Sequence, residues 1–228
     1  MDRPSVWIVI PAYNEAPILE NVLRELLQYD SSYHIVVVDD GSSDGTATIA
    51  GKFPVHVLRH PINLGQGAAL ATGFEYALRE KAQFVVTFDA DGQMQPQDIG
   101  SLVDKLQNEA IDVALGSRFL TSLPEGMPTV KRLVLKLATV LTRLTTGLKI
   151  TDTHNGIRAF RAEALRKITI TQNGMAHSSE ILSEIARNKL TYREVPVTIR
   201  YTQYSKAKGQ SIFNSINILY ELFMGDKK

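Results

Sequence analysis

Four short apolar runs alternate with longer spans of helical periodicity in the N-terminal part of the chain, and this alternation restricts the fold more than any other feature. The runs are Ser5–Ile10, His34–Val38, Val55–Leu58 and Phe84–Phe88. Between the first two, Ile18, Leu19, Val22, Leu23, Leu26 and Leu27 recur at the spacing of one helix face. Between the last two, Asn63-Leu64-Gly65-Gln66-Gly67 opens a helix that continues to about Arg79. Strands joined by helices of this length imply right-handed crossovers and a mostly parallel sheet covered on both faces, an α/β fold. Ligands of such sheets bind beyond the carboxyl ends of the strands. Tyr13 and Glu15, Asp39 and Asp40, and Asp89 and Asp91 all fall at such ends. Three polar clusters are therefore expected on one edge.

The fourth run ends in Asp89-Ala90-Asp91-Gly92-Gln93. Residues i and i+2 of a strand project the same way, so a bend at Gly92 lets both carboxylates converge on one hard cation. Mg²⁺ or Mn²⁺ held by one or two carboxylates, with phosphate oxygens and water completing the shell, suits a nucleoside diphosphate. An isolated Asp-x-Asp is also explained by a helix cap followed by a turn aspartate. The neighbouring clusters at the same sheet edge favour the cation. Asp44, after Ser42 and Ser43, reads as a helix cap, and Asn63–Gly67 as a tight turn at a helix N-terminus. His56, His60 and His177 read as structural; His154 is the one histidine placed in a motif-like stretch.

Zero cysteines exclude disulfides, thiolate-bound zinc and a thiol nucleophile. No pattern of basic and aromatic residues points to nucleic acid. The net charge of +1 hides an asymmetry: Thr129 to Ile150 carries Lys131, Arg132, Lys136, Arg143 and Lys149 and no acid. In that span Leu133, Val134, Leu137, Leu141 and Leu144 share a helix face, which suits a membrane-surface helix as well as a core-packed one. No stretch approaches the roughly 20 apolar residues that span a bilayer, and no signal peptide is read. The expectation is a cytoplasmic protein, peripheral to the inner face of the membrane.

Ile10-Pro11-Ala12-Tyr13-Asn14-Glu15, Val38-Asp39-Asp40-Gly41-Ser42-Ser43-Asp44-Gly45-Thr46, Asn63–Gly67 and Asp89–Gln93 together resemble the successive signatures of family-2 glycosyltransferases with the GT-A fold. Gly116-Ser117-Arg118-Phe119 and Asp152 with Gly156-Ile157-Arg158 resemble the branch of dolichyl-phosphate mannose synthases and bacterial polyprenyl-phosphate sugar transferases. The resemblance runs from about Val6 to about Lys208. It implies a GT-A (Rossmann-like) three-layer sandwich with a mostly parallel central sheet, a single domain over 1–228. About 1–119 would bind the nucleotide-sugar and about 129–228 the acceptor, with Leu120–Pro128 as a mobile connection.

The resemblance also implies roles. Pro11, Ala12, Tyr13 and Glu15 would hold base and ribose, with Asp40 beside them. Asp89, Ala90, Asp91 and Gln93 would bind the donor diphosphate, and Asp89, Asp91 and Gln93 a Mg²⁺ or Mn²⁺ ion. Arg118 would meet phosphate, its planar fork suiting phosphate oxygens. Arg118 and Arg132, helped by Arg200 or Lys208, would hold an acceptor phosphate. Relatives carry an arginine where this chain has Thr202. Asp91, Arg118 and Asp152 are the catalytic candidates, Asp152 for orienting or deprotonating work with Arg158 as its partner.

The implied reaction is inverting transfer of a sugar from a nucleotide diphosphate-sugar to polyprenyl (dolichyl or undecaprenyl) phosphate. Two alternatives stay open: transfer to a saccharide hydroxyl in cell-surface polysaccharide synthesis, and a non-catalytic nucleotide-sugar-binding subunit. Ile212, Phe213, Ile216, Leu219, Tyr220, Leu222, Phe223 and Met224 suggest a last amphipathic helix, docked on its own core, on a second copy, or on a small membrane-protein partner.

Overall fold

A computed structural model describes residues 4–120 and 129–200, with the side chains of 129–132 also outside the description. Seven strands form one sheet in the order β3-β2-β1-β4-β6-β5-β7. Strands β1 (Val6–Ala12), β2 (His34–Asp39), β3 (His56–Arg59) and β4 (Phe84–Thr87) are mutually parallel, as the alternating pattern requires. Strand β6 (Arg158–Arg161) runs antiparallel between β4 and β5 (Val113–Ser117), and β7 (Tyr192–Pro196) lies parallel to β5 on the edge.

Every residue of β1 is buried, and the strand serves two cores because successive side chains alternate between faces. Ile8 and Ile10, with Ile35, Val37 and Val86, pack against α1 (Ala16–Tyr29) and α4 (Pro96–Asn108). Trp7 and Val9, with Val36, Val38 and Val85, pack against α3 (Gln66–Arg79) and α7 (His177–Arg187). The outcome is the helix–sheet–helix sandwich expected from the sequence. The apolar face of α1 is buried through Leu19, Val22, Leu23 and Leu26, each worth roughly 1.5–3 kcal/mol of transfer free energy. Two short helices, α2 (Thr46–Ala50) and α6 (Ala162–Leu165), fill connections.

Helix α5 (Thr129–Thr146) covers the basic amphipathic span, with its two faces used in an unexpected way. Leu135, Ala138, Thr139 and Thr142 are the buried residues. Leu133, Leu137, Val140 and Leu144 point outward, Leu133 and Leu144 being 70% and 77% exposed. Core packing therefore does not explain the leucine stripe among the described residues. The stretch Asp152–Arg158 also departs from a plain loop, since Arg158 begins the antiparallel strand that carries the motif into the middle of the sheet. Residues 121–128 and 201–228 lie outside the described residues. With them lie Lys208, the position of Thr202, most of the expected connection and the last amphipathic helix.

Candidate active site

The loops that follow β1 and β2 are stitched together by small polar side chains. Asn14 N donates to Ser42 Oγ (2.9 Å), Glu15 N to Thr46 Oγ1 (2.9 Å), and Ser43 N to Asn14 Oδ1 (3.0 Å). Asp44 spans both helix starts, accepting from Ala16 N at 3.0 Å and from Thr46 N at 3.0 Å. Burial pushes its carboxyl up, but the bonds from Thr46 and Ala16 outweigh this and hold it below the usual range. Its cap-like role therefore also joins two loops. In this frame Pro11 and Ala12 are buried strand residues, Tyr13 is 45% exposed and Glu15 is buried. A half-exposed aromatic beside a buried acid makes a platform for a flat polar ring.

Asp40 does not present its carboxylate to this platform. It accepts from Leu64 N (2.9 Å), Gly65 N (2.7 Å) and pairs with His60 Nδ1 (2.7 Å), and so builds the 61–65 turn. His60 is structural, as expected, its other nitrogen lying 3.0 Å from Thr72 Oγ1. Asp39 is held differently. Its Oδ1 takes Ser42 N, while its fully buried Oδ2 has no hydrogen bond and lies 3.2 Å from Arg59 Nε.

Asp89 and Asp91 are brought together as the spacing requires. Gly92 adopts φ +73°, a left-handed conformation that favours glycine, and the turn carries Gln93 back so that its backbone N–H meets Asp91 Oδ1 at 3.0 Å. The Gln93 side-chain amide also bonds Asp91. Gln66, at the start of α3, donates from Nε2 to Asp89 Oδ1 at 3.0 Å. Burial pushes the Asp89 carboxyl up to about 7, the Asp91 charge adds to this, and Arg158 opposes it. Two carboxylates and an amide oxygen form a hard donor set, and the mutual repulsion of the carboxylates is what a divalent cation would relieve. These residues fit Mg²⁺ or Mn²⁺.

A second acidic centre lies beside the first. Asp152 is gripped by Arg118 through Nε at 2.6 Å, Nη2 at 2.7 Å and the backbone N at 3.1 Å, with the side chains 1% and 9% exposed. Burial raises the Asp152 carboxyl, but the Arg118 guanidinium outweighs it and holds the group below the usual carboxylate range. The expected partner, Arg158, is not the one that pairs. Arg158 is buried and donates from Nη2 to Thr153 O (3.0 Å) and Ser178 O (3.2 Å). Burial lowers it to about 10, although Asp152 and Asp89 both favour its charge. It is a cation fixed between the two acidic centres.

Of the remaining candidates, Arg200 is tied to the metal turn by its backbone, donating to Gln93 O at 2.8 Å, while its side chain pairs with Glu25 at 3.1 Å. It is not gathered with Arg118. Arg132 lies in α5 with its side chain outside the described residues, as does all of Lys208. Glu180 is engaged by Thr171 N and Gln172 N. Thr153 Oγ1 lies 3.4 Å from Thr139 Oγ1, which seats α5 directly behind the loop that carries Asp152.

Residues 7–169 match the family described as Glycosyl transferase family 2. The chain belongs to that family. Among its relatives, the UDP-N-acetylglucosamine–dolichyl-phosphate N-acetylglucosaminyltransferase of Methanococcus voltae is 32% identical over 96% of this chain and 95% of its own. The polyprenol monophosphomannose synthase of Mycolicibacterium smegmatis is 33% identical over 92% of this chain and 84% of its own. The fold is shared with glucosyl-3-phosphoglycerate synthase from Mycobacterium tuberculosis, solved with Mn²⁺, uridine diphosphate and glucosyl-3-phosphoglycerate. That structure superposes with a TM-score of 0.71 at 20% identity, covering 96% of this chain and 79% of that one. The family-2 glycosyltransferase is thus an α/β enzyme of the GT-A fold.

For this glycosyltransferase, reading the sequence missed two contacts of the candidate site. Gln66 was taken with the Asn63–Gly67 turn, and only the crossover that brings the start of α3 beside β4 reveals its bond to Asp89. Asp39 was passed over for its neighbour, because alternation along a strand end does not say which of two adjacent aspartates turns inward.

Proposed function

We propose that this glycosyltransferase moves a sugar from a nucleotide diphosphate-sugar to a polyprenyl phosphate at a membrane surface, with a divalent cation. The observation that carries the acceptor is the outward apolar, acid-free face of α5, seated through Thr139 and Thr153 against the loop of Asp152. A leucine stripe flanked by exposed Lys136 and Arg143 suits the boundary of an anionic lipid surface, and a lipid phosphate would reach the site from there. The names of the M. voltae and M. smegmatis relatives support the same acceptor class.

Tyr13 offers a face to the base, and Asp39, ion-paired with Arg59, lies at the end of the neighbouring strand. Asp89, Asp91 and Gln93 would hold the cation, which when bound neutralises the charge that develops on the departing diphosphate. Gln66 orients Asp89 for this. Arg158 adds a fixed positive field from behind. Arg118 keeps a rigid position because Asp152 takes two of its N–H groups, and it faces the acceptor side as part of a locked pair. An acceptor phosphate oxygen forms the new bond to the anomeric carbon as the bond to the diphosphate breaks, in one in-line displacement that inverts the anomeric centre.

The Asp152 carboxylate bears on the choice of acceptor. Held below the usual range by Arg118, it is a weak base, and Glu180 is committed to the 171–172 backbone. A saccharide hydroxyl needs a general base with a pKa near the working pH. A phosphate is already ionised and needs only position and charge balance. Of the two roles expected of Asp152 from sequence, its pairing with Arg118 favours the orienting one. The test is a transfer assay with Mn²⁺, a short-chain polyprenyl phosphate and radiolabelled nucleotide sugars. Label passing into the organic phase from one donor, and lost with EDTA, supports the reading. Label appearing only on saccharide acceptors overturns it.

A further inference from the structure

Four buried side-chain atoms among the described residues have no hydrogen-bond partner: Trp7 Nε1, Asp39 Oδ2, His154 Nδ1 and Asn155 Nδ2. Trp7 sits at the opposite end of the sheet, in an aromatic cluster with His34, His56 and Tyr76. Asp39 Oδ2 is ion-paired with Arg59. His154 and Asn155 are neighbours in one loop, and nothing in the transfer scheme above uses them. Buried polar atoms without partners are uncommon in native proteins and call for an explanation.

The backbone around the two residues is pinned on both sides. Thr153 O accepts from Arg158 Nη2, and Gly156 O accepts from Thr87 Oγ1 at 2.5 Å. Gly156 packs so closely on Asp89 and Met94 that a Cβ there would collide with both. Asn155 Oδ1 takes Ile157 N at 3.2 Å, which sets its amide and leaves Nδ2 as the open donor. The loop therefore runs from the Arg118–Asp152 pair to the carboxylate of Asp89 as a pinned strip, with two unpartnered polar atoms buried along it.

The chemistry of those groups selects the ligand. Burial lowers His154 to about 4, with Arg118, Arg158 and His177 opposing its protonation more weakly and Asp152 favouring it, so the ring is neutral. A neutral imidazole and a carboxamide donate and accept single hydrogen bonds without charge, which suits hydroxyls and not phosphates. In a nucleotide-sugar the hexose is attached to the phosphate farther from the ribose. The strip lying against Asp89, on the side of Arg118, is where that hexose would be.

We propose that His154 and Asn155 read the hydroxyl or acetamido groups of the donor sugar and so set which sugar is transferred. This rests on the glycosyl-transfer reading, and the experiment separates the two. Calorimetry with Mn²⁺ is run on wild type against UDP, GDP, UDP-glucose, UDP-N-acetylglucosamine and GDP-mannose. His154→Ala and Asn155→Ala are then titrated with the tightest nucleotide-sugar and with its nucleoside diphosphate alone. Each variant is expected to weaken the intact donor about tenfold and to leave the diphosphate within about twofold. His154→Gln, which restores an uncharged donor and acceptor, is expected to recover part of the loss and to change the ranking of donors. Equal weakening of both ligands means a structural role and overturns the proposal, as does no change in either. A wild type that binds none of the five nucleotides overturns the glycosyl-transfer reading, and the inference with it.

Discussion

Asp89, half-buried, and Asp152, buried, are two acids of the candidate site held in opposite electrostatic states. Burial, with the Asp91 carboxylate adding to it, raises Asp89 to about 7, while the Arg118 fork holds Asp152 below its ordinary range against the same burial. The difference lies in what each acid still lacks. Asp152 has its counter-charge built into the chain through bonds of 2.6 and 2.7 Å. Asp89 has Gln66, a neutral donor, and a more distant Arg158. The first centre is a finished structural pair, and the second is short of positive charge in a way that a bound cation would correct.

The comparison breaks most directly at Asp91. Asp91→Ala removes a proposed metal ligand from a half-buried turn, so transfer should fall about 10³-fold or more with little change in unfolding temperature. Wild-type turnover in this variant would end the metal reading. Arg118→Met should do the reverse, leaving Asp152 buried without its partner. Its cost should be about 3–5 kcal/mol of folding stability, read by urea denaturation. A loss below about 1 kcal/mol would mean that the pair is weaker than its geometry indicates.

The two acids should also respond to pH with opposite signs. An unfolded Asp ionises near 3.9, well below the folded value of about 7 for Asp89. Between these values the folded state binds more protons, so the metal-free protein loses stability through this group as pH rises from about 4 to about 7. Asp152, with a lowered folded value, contributes stability that is complete above the unfolded value and is lost as pH falls through the folded one. Asp89→Asn should therefore be more stable than wild type at pH 7.5 without metal, and Mn²⁺ should narrow the gap by stabilising only the wild type. Thermal melts of both proteins from pH 4 to 8 check this.

The smallest effect is expected at Gln66, which orients Asp89 without replacing its charge. Gln66→Leu should raise the Mn²⁺ concentration needed for half-maximal activity by roughly three- to tenfold, with kcat at saturating Mn²⁺ nearly unchanged. An equal fall in kcat would give Gln66 a role beyond holding the carboxylate.

Much of this site was legible from local patterns. The parallel strands, the Asp89–Gln93 turn with its bend at Gly92, and the convergence of three polar clusters on one edge all follow from alternation, helical spacing and the conformational freedom of glycine. The partner of each polar group was not legible. Arg158 was the expected partner of Asp152 where Arg118 is the observed one, and Asp40, expected beside the base, is committed to the 61–65 turn. Such choices depend on angles at strand ends that a sequence does not record.

The helix over 129–146 marks the same division. Its composition alone determined that it is amphipathic, basic and free of acids, because those properties need only the order of residues. Which stripe would be buried was decided by the tertiary structure. Leu135, Ala138, Thr139 and Thr142 are buried, Thr139 against Thr153, and Leu133, Leu137 and Leu144 face outward. The two stripes lie on adjacent faces of one helix, so no periodicity distinguishes them, and only the shape and polarity of the opposing surface could select the threonine-rich one.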